Sequence, residues 1–176
     1  SVAVGKTIPS YDIPVDIEAT YGDTLADVTL PDGWSWKDSS LSVGNAGTQT
    51  FVAVFTPSDT NNYNSVEENI TITVAKKEVA EPAVSGSYTY IGSEQTVTLI
   101  GVESFMTVSG NKATNAGNYV VTVTLDDNHK WNASSDGEIE WSIARAAPSL
   151  EAPTAQNDIT YGAALSTVGL TEGWTW

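Results

Sequence analysis

Residues 21–36, YGDTLADVTLPDGWSW, recur 140 positions later in residues 161–176 as YGAALSTVGLTEGWTW. The two segments align without a gap, and eight of their sixteen residues are identical. A match of this kind within one chain indicates that a unit has been repeated, so the length of the unit has to be established before its fold is predicted.

A second, more divergent copy lies halfway between these segments. Residues 45–47, Asn-Ala-Gly, return as residues 115–117, and residues 70–76, ITITVAK, return as IEWSIAR at 139–145. The period is therefore about 70 residues. A unit of that length can hold its own core, which favours a chain of small domains over a solenoid built from shorter repeats.

These matches divide the chain into four predicted segments. They are a remnant closing strand of a preceding repeat (residues 1–6), a first repeat (7–76), a second, divergent repeat (77–145) and a partial third repeat of the first type (146–176). The partial repeat is shorter than the roughly 40 residues at which a domain usually needs extra help to fold. We therefore expect it either to fray or to borrow strands from another copy.

The apolar pattern predicts β-structure throughout. Phe51-Val52-Ala53-Val54-Phe55 is apolar on both faces and is typical of a central strand. Other runs alternate with the period of two that marks a strand with one buried face. The residues expected to face inward are Val15, Ile17, Ala19 and Tyr21, then Ile70, Ile72 and Val74, then Val121, Val123 and Leu125, and finally Ile139, Trp141 and Ile143.

No stretch of eleven or more residues shows a helical apolar period. This favours an all-β fold made of tandem small Ig-like β-sandwich domains of about 70 residues, shorter than the roughly 100 of an immunoglobulin domain. Repeats like the β-grasp fold, which packs a helix on its sheet, are the alternative.

The charge balance excludes several classes of partner. The chain has 22 Asp and Glu residues against 7 Lys and Arg, for a net charge of −15. Nucleic acids and anionic membrane surfaces are bound by clusters of basic residues, which this chain lacks. No apolar run reaches the roughly 18 residues of a membrane helix, so membrane insertion is not expected either.

The residue types needed for most catalysis are scarce. There is no cysteine, His129 is the only histidine, and no Gly-rich phosphate loop or Gly-x-Ser-x-Gly motif occurs. We expect a protein that is not an enzyme and has no cofactor and no metal. His129 follows Asp126-Asp127-Asn128, so it is interpreted as a solvated turn residue.

Polar loops offer two further possibilities. Residues 58–62 and 126–128 carry oxygen ligands suited to calcium, although side chains that bind turn amides are the favoured interpretation. An intramolecular isopeptide bond would need a buried lysine beside an acid, whereas Lys76 and Lys77 fall at a repeat boundary.

The combined motifs resemble a known family. The first repeat is similar to the MBG domain of the YGX type, a bacterial Ig-like repeat found in tandem in surface and secreted proteins of gut Firmicutes. The residues that carry the resemblance are Tyr21-Gly22, Trp34, Trp36, Asn45-Ala46-Gly47, Thr56-Pro57-Ser58-Asp59, Asn62-Tyr63-Asn64 and Val74-Ala75-Lys76.

The second repeat is similar to a sister type, but departs from the pattern where Ile91 replaces the glycine after Tyr90. The resemblance implies an extracellular location, on a bacterial cell wall or in a secreted multimodular protein, and a role as stalk, spacer or adhesive segment.

Tryptophan residues are the best candidates for binding. Trp34 and Trp36 lie two apart and leave the same face of a strand, as do Trp174 and Trp176. Such a pair either stacks on sugar rings or belongs to the core, and recurrence within the repeat favours the core. At an offset of 69, Trp36 corresponds to Phe105 but Trp34 to Glu103, which indicates that Trp34 is at least partly exposed; Trp34 and its counterpart Trp174 are therefore the candidate ligand-binding residues.

Two functions follow from these observations. The first is a structural spacer of tandem Ig-like domains. The second is an adhesin-type module for a host glycoprotein such as mucin, for immunoglobulin, or for a polysaccharide bound through Trp34 and Trp174. The sequence does not identify the partner.

Overall fold

The computed structural model describes residues 5–154, 158 and 160–175, so most of the predicted remnant strand at residues 1–6 lies outside the described residues. The chain divides into two compact units, residues 1–144 and 145–176. Over the described ranges the regular structure consists of strands and two short 3₁₀ turns, without an α-helix. The prediction of an all-β protein is confirmed.

Fourteen strands lie in the described part of the first unit, residues 5–144. They are β1 (Ile17–Thr20), β2 (Trp34–Trp36), β3 (Gly47–Phe55), β4 (Val66–Ala75), β5 (Lys77–Val79), β6 (Ala83–Ser85), β7 (Tyr88–Thr89), β8 (Gln95–Thr96), β9 (Thr98–Ile100), β10 (Met106–Ser109), β11 (Lys112–Ala113), β12 (Gly117–Leu125), β13 (His129–Trp131) and β14 (Glu138–Ala144). The 3₁₀ turns are η1 (Leu25–Asp27) and, in the second unit, η2 (Leu165–Thr167).

The first four strands form one sheet in the order β1-β4-β3-β2. Strand β4 is antiparallel to β3 and parallel to β1. The strands that come first and last in the sequence, β1 and β4, are therefore neighbours that run in the same direction. Strand β3 lies between β4 and β2. The prediction that residues 51–55 form a central strand is therefore confirmed.

A second sheet repeats this arrangement in the order β10-β12-β14-β7. Its first strand, β7, is again parallel to its last, β14. The registers agree as well, because Gly117 pairs with Ile143 as Gly47 pairs with Val74. The 70-residue period of the sequence is thus a period of the strand topology.

The last strand of each sheet supplies much of its core. Ile70, Ile72 and Val74 on β4 are at most 2% exposed, as the alternation predicts. They pack with Leu25 from η1 and with Val43 from the loop before β3. Burial of each such side chain stabilises the fold by about 1.5–3 kcal/mol.

One inward-facing position is predicted wrongly. Val15 is 72% exposed, because β1 begins only at Ile17. Asp16 interrupts the alternation with a φ of 56°, in the left-handed region that non-glycine residues rarely adopt.

The second core is separate from the first and is built around aromatic rings. Trp141 on β14 is 5% exposed and packs between Tyr88, at a ring distance of 5.5 Å, and Tyr119, at 5.1 Å. Three two-stranded ladders accompany the main sheets: β6 with β9, β8 with β11, and β5 with β13.

The unit of residues 145–176 reproduces the start of the first sheet's core locally. In η2 the amide of Val168 donates to the carbonyl of Leu165, as that of Val28 donates to Leu25 in η1. Leu25 is 1% exposed, whereas Leu165 is 55% exposed.

Gly137 allows a close main-chain contact in the second sheet. Its φ is 84°, its carbonyl accepts a bond from the amide of Val123, and a Cβ there would collide with the carbonyl oxygen of Val123 and lie 2.8 Å from the indole nitrogen of Trp131. We expect Gly137→Ala to lower the free energy of unfolding by about 3 kcal/mol or more, from the positive φ and the overpacking together.

Gly86 is the matched control, because its φ is 87° and a Cβ there would meet no atom within 4 Å. Gly86→Ala should cost only the conformational part, about 1–2 kcal/mol. Urea denaturation of both variants measures the difference, and equal losses would contradict the steric argument.

Candidate functional site

The candidate site is the junction between the two four-stranded sheets, where the chain leaves no free linker. Strand β4 ends at Ala75 and β5 begins at Lys77. Strand β5 pairs in parallel with β13, and the amide of Lys77 donates to the carbonyl of Asn128 over 2.9 Å. The residues that directly follow the first sheet are thus already hydrogen-bonded to a strand of the second repeat.

Asn128 joins the two sheets through its side-chain amide. Its Oδ1 accepts a hydrogen bond from the amide of Ala46 at 2.9 Å, and its Nδ2 donates to Oδ1 of Asn45 at 3.3 Å. Gln49 stabilises the turn that Asn128 contacts, because its Nε2 donates to the carbonyl of Asn45. Both halves of one amide therefore bind the Asn-Ala-Gly turn of the first sheet.

His129 fills the space beside this contact. It is 7% exposed, and its ring stacks on Phe105 with the centroids 3.7 Å apart. Tyr21 of the first repeat also contacts the imidazole, edge to face with the ring centroids 5.2 Å apart. Two rings from different repeats thus contact His129.

The prediction of a solvated His129 is wrong for a structural reason. The residue is the first of β13, so its main chain is drawn against β5 and its ring into the junction. The signal in the sequence is the spacing Asp126-x-x-His129, which allows a turn closed by a side-chain bond. Nδ1 of His129 lies 2.6 Å from Oδ1 of Asp126.

Asp126 is the charged group that fixes this loop. Its carboxylate binds the ring of His129 and accepts a bond from the amide of Asn128 at 3.0 Å. The bond to His129, followed by the main-chain bond from Asn128, lowers the pKa of Asp126, while partial desolvation acts in the opposite direction. The carboxylate thus orients both residues that reach across the junction.

An open groove of about 530 Å³ adjoins His129 between the start of the second repeat and residues 101–106. Val79, Phe105 and Met106 line it with apolar atoms. Its one imidazole is that of His129, whose Nδ1 already contacts Asp126.

Trp34 and Trp36 pack against the first core instead of forming a flat exposed pair. Trp34 is half-buried, with Phe55 at a ring distance of 5.4 Å and Tyr11 at 5.8 Å. Nε1 of Trp36 donates to the carbonyl of Val28 over 2.9 Å. Both rings contribute to the same hydrophobic cluster.

The correspondence between Trp34 and Glu103 is also wrong. Trp34 pairs with the last residue of β3, and Met106 pairs with the last residue of the equally long β12. Trp34 therefore corresponds to Met106, because the second repeat has three more residues before this strand. The offset behind the prediction of a partly exposed Trp34 therefore does not apply at this position, although the ring itself is half-buried.

Trp174 has a different environment from Trp34. It is 40% exposed and lines an open groove of about 600 Å³ with Leu150, which is 70% exposed. Trp176, the second member of this predicted pair, lies outside the described residues.

The polar loops use their carboxylates to bind turn amides. The carboxylate of Asp59 accepts bonds from the main-chain amides of Asn61 and Asn62 and from the side chain of Asn62. Among the described residues no group of three or more His, Asp or Glu side chains could hold a metal ion.

Three lysine–glutamate pairs occur among the described residues, and all are at the surface. They are Lys37–Glu67 at 2.7 Å, Lys130–Glu78 at 3.0 Å and Lys112–Glu94 at 3.3 Å, with every side chain more than half exposed. Lys76 and Lys77 take part in none of them. A buried lysine beside an acid, which an isopeptide bond requires, is thus not found among these pairs.

Comparison with protein-family models, with curated proteins and with solved structures gives no match. In the part of the chain that the structure describes, no helix has the length and apolar character needed to cross a bilayer.

The charge on Asp126 gives the junction a testable dependence on pH. Because the folded pKa lies below the unfolded value of about 3.9, the carboxylate stabilises the fold at neutral pH, and this contribution disappears as the pH falls below about 4. Asp126→Asn should therefore be less stable than the natural chain at pH 6, and the two should converge towards pH 2 in urea denaturation.

Asp127→Asn is the control, since it removes the same charge from the adjacent exposed residue. It should leave the pH dependence of stability close to that of the natural chain. A parallel pH profile for Asp126→Asn and the natural chain would contradict the role given to this carboxylate.

Proposed function

We propose that this chain is a semi-rigid spacer of tandem Ig-like β-sandwich repeats in a bacterial cell-surface or secreted multimodular protein. The observation that carries the proposal is the junction, where Asn128 and His129 of one repeat contact the turn and the tyrosine of the repeat before it. A chain of domains keeps its two ends apart only when its junctions resist bending.

The energies at the junction are sufficient for that purpose. Two hydrogen bonds contribute about 0.5–1.5 kcal/mol each, and an edge-to-face pair of rings contributes about 0.5–1.5 kcal/mol. Together they favour the docked arrangement by about 1.5–4.5 kcal/mol, which corresponds to a factor of roughly 10 to 1,600 in population. The pairing of β5 with β13 inside the second repeat leaves Lys76 as the one residue between the paired strands of the two repeats, so little main chain is free to bend.

Several other features support the same role. The first and second repeats each have their own core and a four-stranded sheet of the same order, so length can be added without changing the unit. A net charge of −15 keeps such a chain soluble and opposes its association with itself. The resemblance to MBG repeats agrees with an extracellular location.

The stiffness of the junction can be measured with a pair of fluorophores. The chain has no cysteine, so Ser58→Cys and Thr124→Cys, both at exposed positions, provide one label in each repeat. We expect a narrow distribution of energy-transfer efficiencies in single molecules, and a broader one after Tyr21→Ala combined with Asn128→Ala, because these changes remove the contacts across the junction.

Tyr90→Ala is the matched control, because it removes the tyrosine at the equivalent corner of the second repeat, away from this junction. It should leave the distribution narrow. A broad distribution in the natural chain would refute the spacer.

A second candidate function is an adhesin-type binding module for a host glycoprotein, for immunoglobulin or for a polysaccharide. The observation in its favour is Trp174, whose exposed indole lines a groove of about 600 Å³. Exposed aromatic rings offer flat apolar faces on which sugar rings can stack.

Affinity electrophoresis in polysaccharide or mucin gels, with a serum pull-down beside it, tests this candidate. If Trp174 binds sugar, Trp174→Ala should abolish retardation in the gel without changing the melting temperature of residues 1–144. Trp34→Ala is the comparison: it should lower the melting temperature, since Trp34 packs on Phe55 and Tyr11. Equal mobility in gels with and without ligand would exclude glycan binding.

A further inference from the structure

The corner that presents Tyr21 to the junction is built a second time around Tyr161. Gly22 and Gly162 follow the two tyrosines with φ values of 100° and 88°. A turn closes in the same place in both, from the amide of Asp23 to Thr20 and from that of Ala163 to Thr160. A 3₁₀ turn then follows each corner.

The two tyrosine rings nevertheless have different surroundings. Tyr21 is half-buried with its ring against His129. Tyr161 is fully exposed. The same local structure is thus in contact with another repeat at Tyr21 and exposed to solvent at Tyr161.

We propose that Tyr161 is a docking residue for a second copy of residues 77–144, through the contacts that Tyr21 makes with His129. The inference rests on the proposed function, because it treats the junction as a general means of joining repeats. It adds which repeat can follow which.

The occupant is specified by what the contact requires. The partner must supply an imidazole that is bound by a carboxylate and stacked on an aromatic ring. In this chain, Asp126, three residues earlier in the sequence, binds His129, and Phe105 stacks on it. It must also carry the asparagine that binds the Asn-Ala-Gly turn, as Asn128 does. These groups lie together in residues 77–144.

A repeat of the first type does not offer them. Its corresponding loop, residues 58–62, reads Ser-Asp-Thr-Asn-Asn, and the only histidine of the chain is His129. The tyrosine corner of the first type therefore selects the divergent type as its successor. The order first type, second type, first type along this chain agrees with such a selection.

The test extends the chain with its own sequence. Residues 37–144 are joined after Trp176, because Trp176 aligns with Trp36, so that the third repeat is completed and followed by a copy of the second. The extended chain contains two histidines, and proton NMR resolves their ring signals. We expect both to be shifted by the neighbouring aromatic rings, and we expect Tyr161→Ala to move only the added one while Tyr21→Ala moves only the original.

The 176-residue chain provides the control, since Tyr161→Ala should leave its single histidine signal unchanged. An added histidine at the position of a solvent-exposed imidazole, or one insensitive to Tyr161→Ala, would overturn the proposal. So would an added segment that remains unfolded, which the same signal reports. The fluorophore measurement between the first two repeats does not involve Tyr161, so the spacer function and this inference can fail separately.

Discussion

The pairing of β4 on both of its edges is the constraint on which the first sheet and the junction depend. Because β4 is hydrogen-bonded to β1 and β3, its apolar residues Ile70, Ile72 and Val74 are held over the centre of the core. Because the same strand ends at Ala75 and β5 begins at Lys77, it also fixes where the second repeat starts. A single strand thus contributes to the core and leads directly into the junction.

The junction is made of polar and aromatic contacts of modest individual energy. The amide that binds a turn and the contact of the imidazole with Tyr21 are each worth about a kcal/mol, and a carboxylate orients both residues. Asn128 and His129 act together because the pairing of β5 with β13 fixes the main chain that carries both residues. The junction thus depends on contacts between residues of neighbouring repeats.

Much of the fold could be predicted from residue patterns, and the exceptions have physical causes. Alternation at Ile70, Ile72 and Val74 correctly identified the buried face, since a strand has only two faces. It did not show that the first and last strands of each sheet are parallel neighbours, because periodicity contains no information about pairing partners. A constant offset misplaced Trp34, because three additional residues precede the corresponding strand in the second repeat.

The candidate site was harder to predict than the fold. The sequence identifies Asn45-Ala46 as part of a repeated motif and Tyr21 as a strand residue, but the partner of both is a loop 82 or more positions away in the sequence. His129 was interpreted from its polar neighbours, whereas its burial is decided by Phe105 and Tyr21. Local composition describes a loop well only when nothing distant packs against it.

The parallel alignment of the first and last strands has a mechanical consequence. A pull on the two ends of the first sheet enters at the start of β1 and leaves at the end of β4, so the two strands are drawn past each other along their length. The hydrogen bonds that join Ile17–Thr20 to Ile72–Ala75 are then loaded simultaneously in shear and do not open one after another. A unit of this topology resists tension better than its small core alone would suggest.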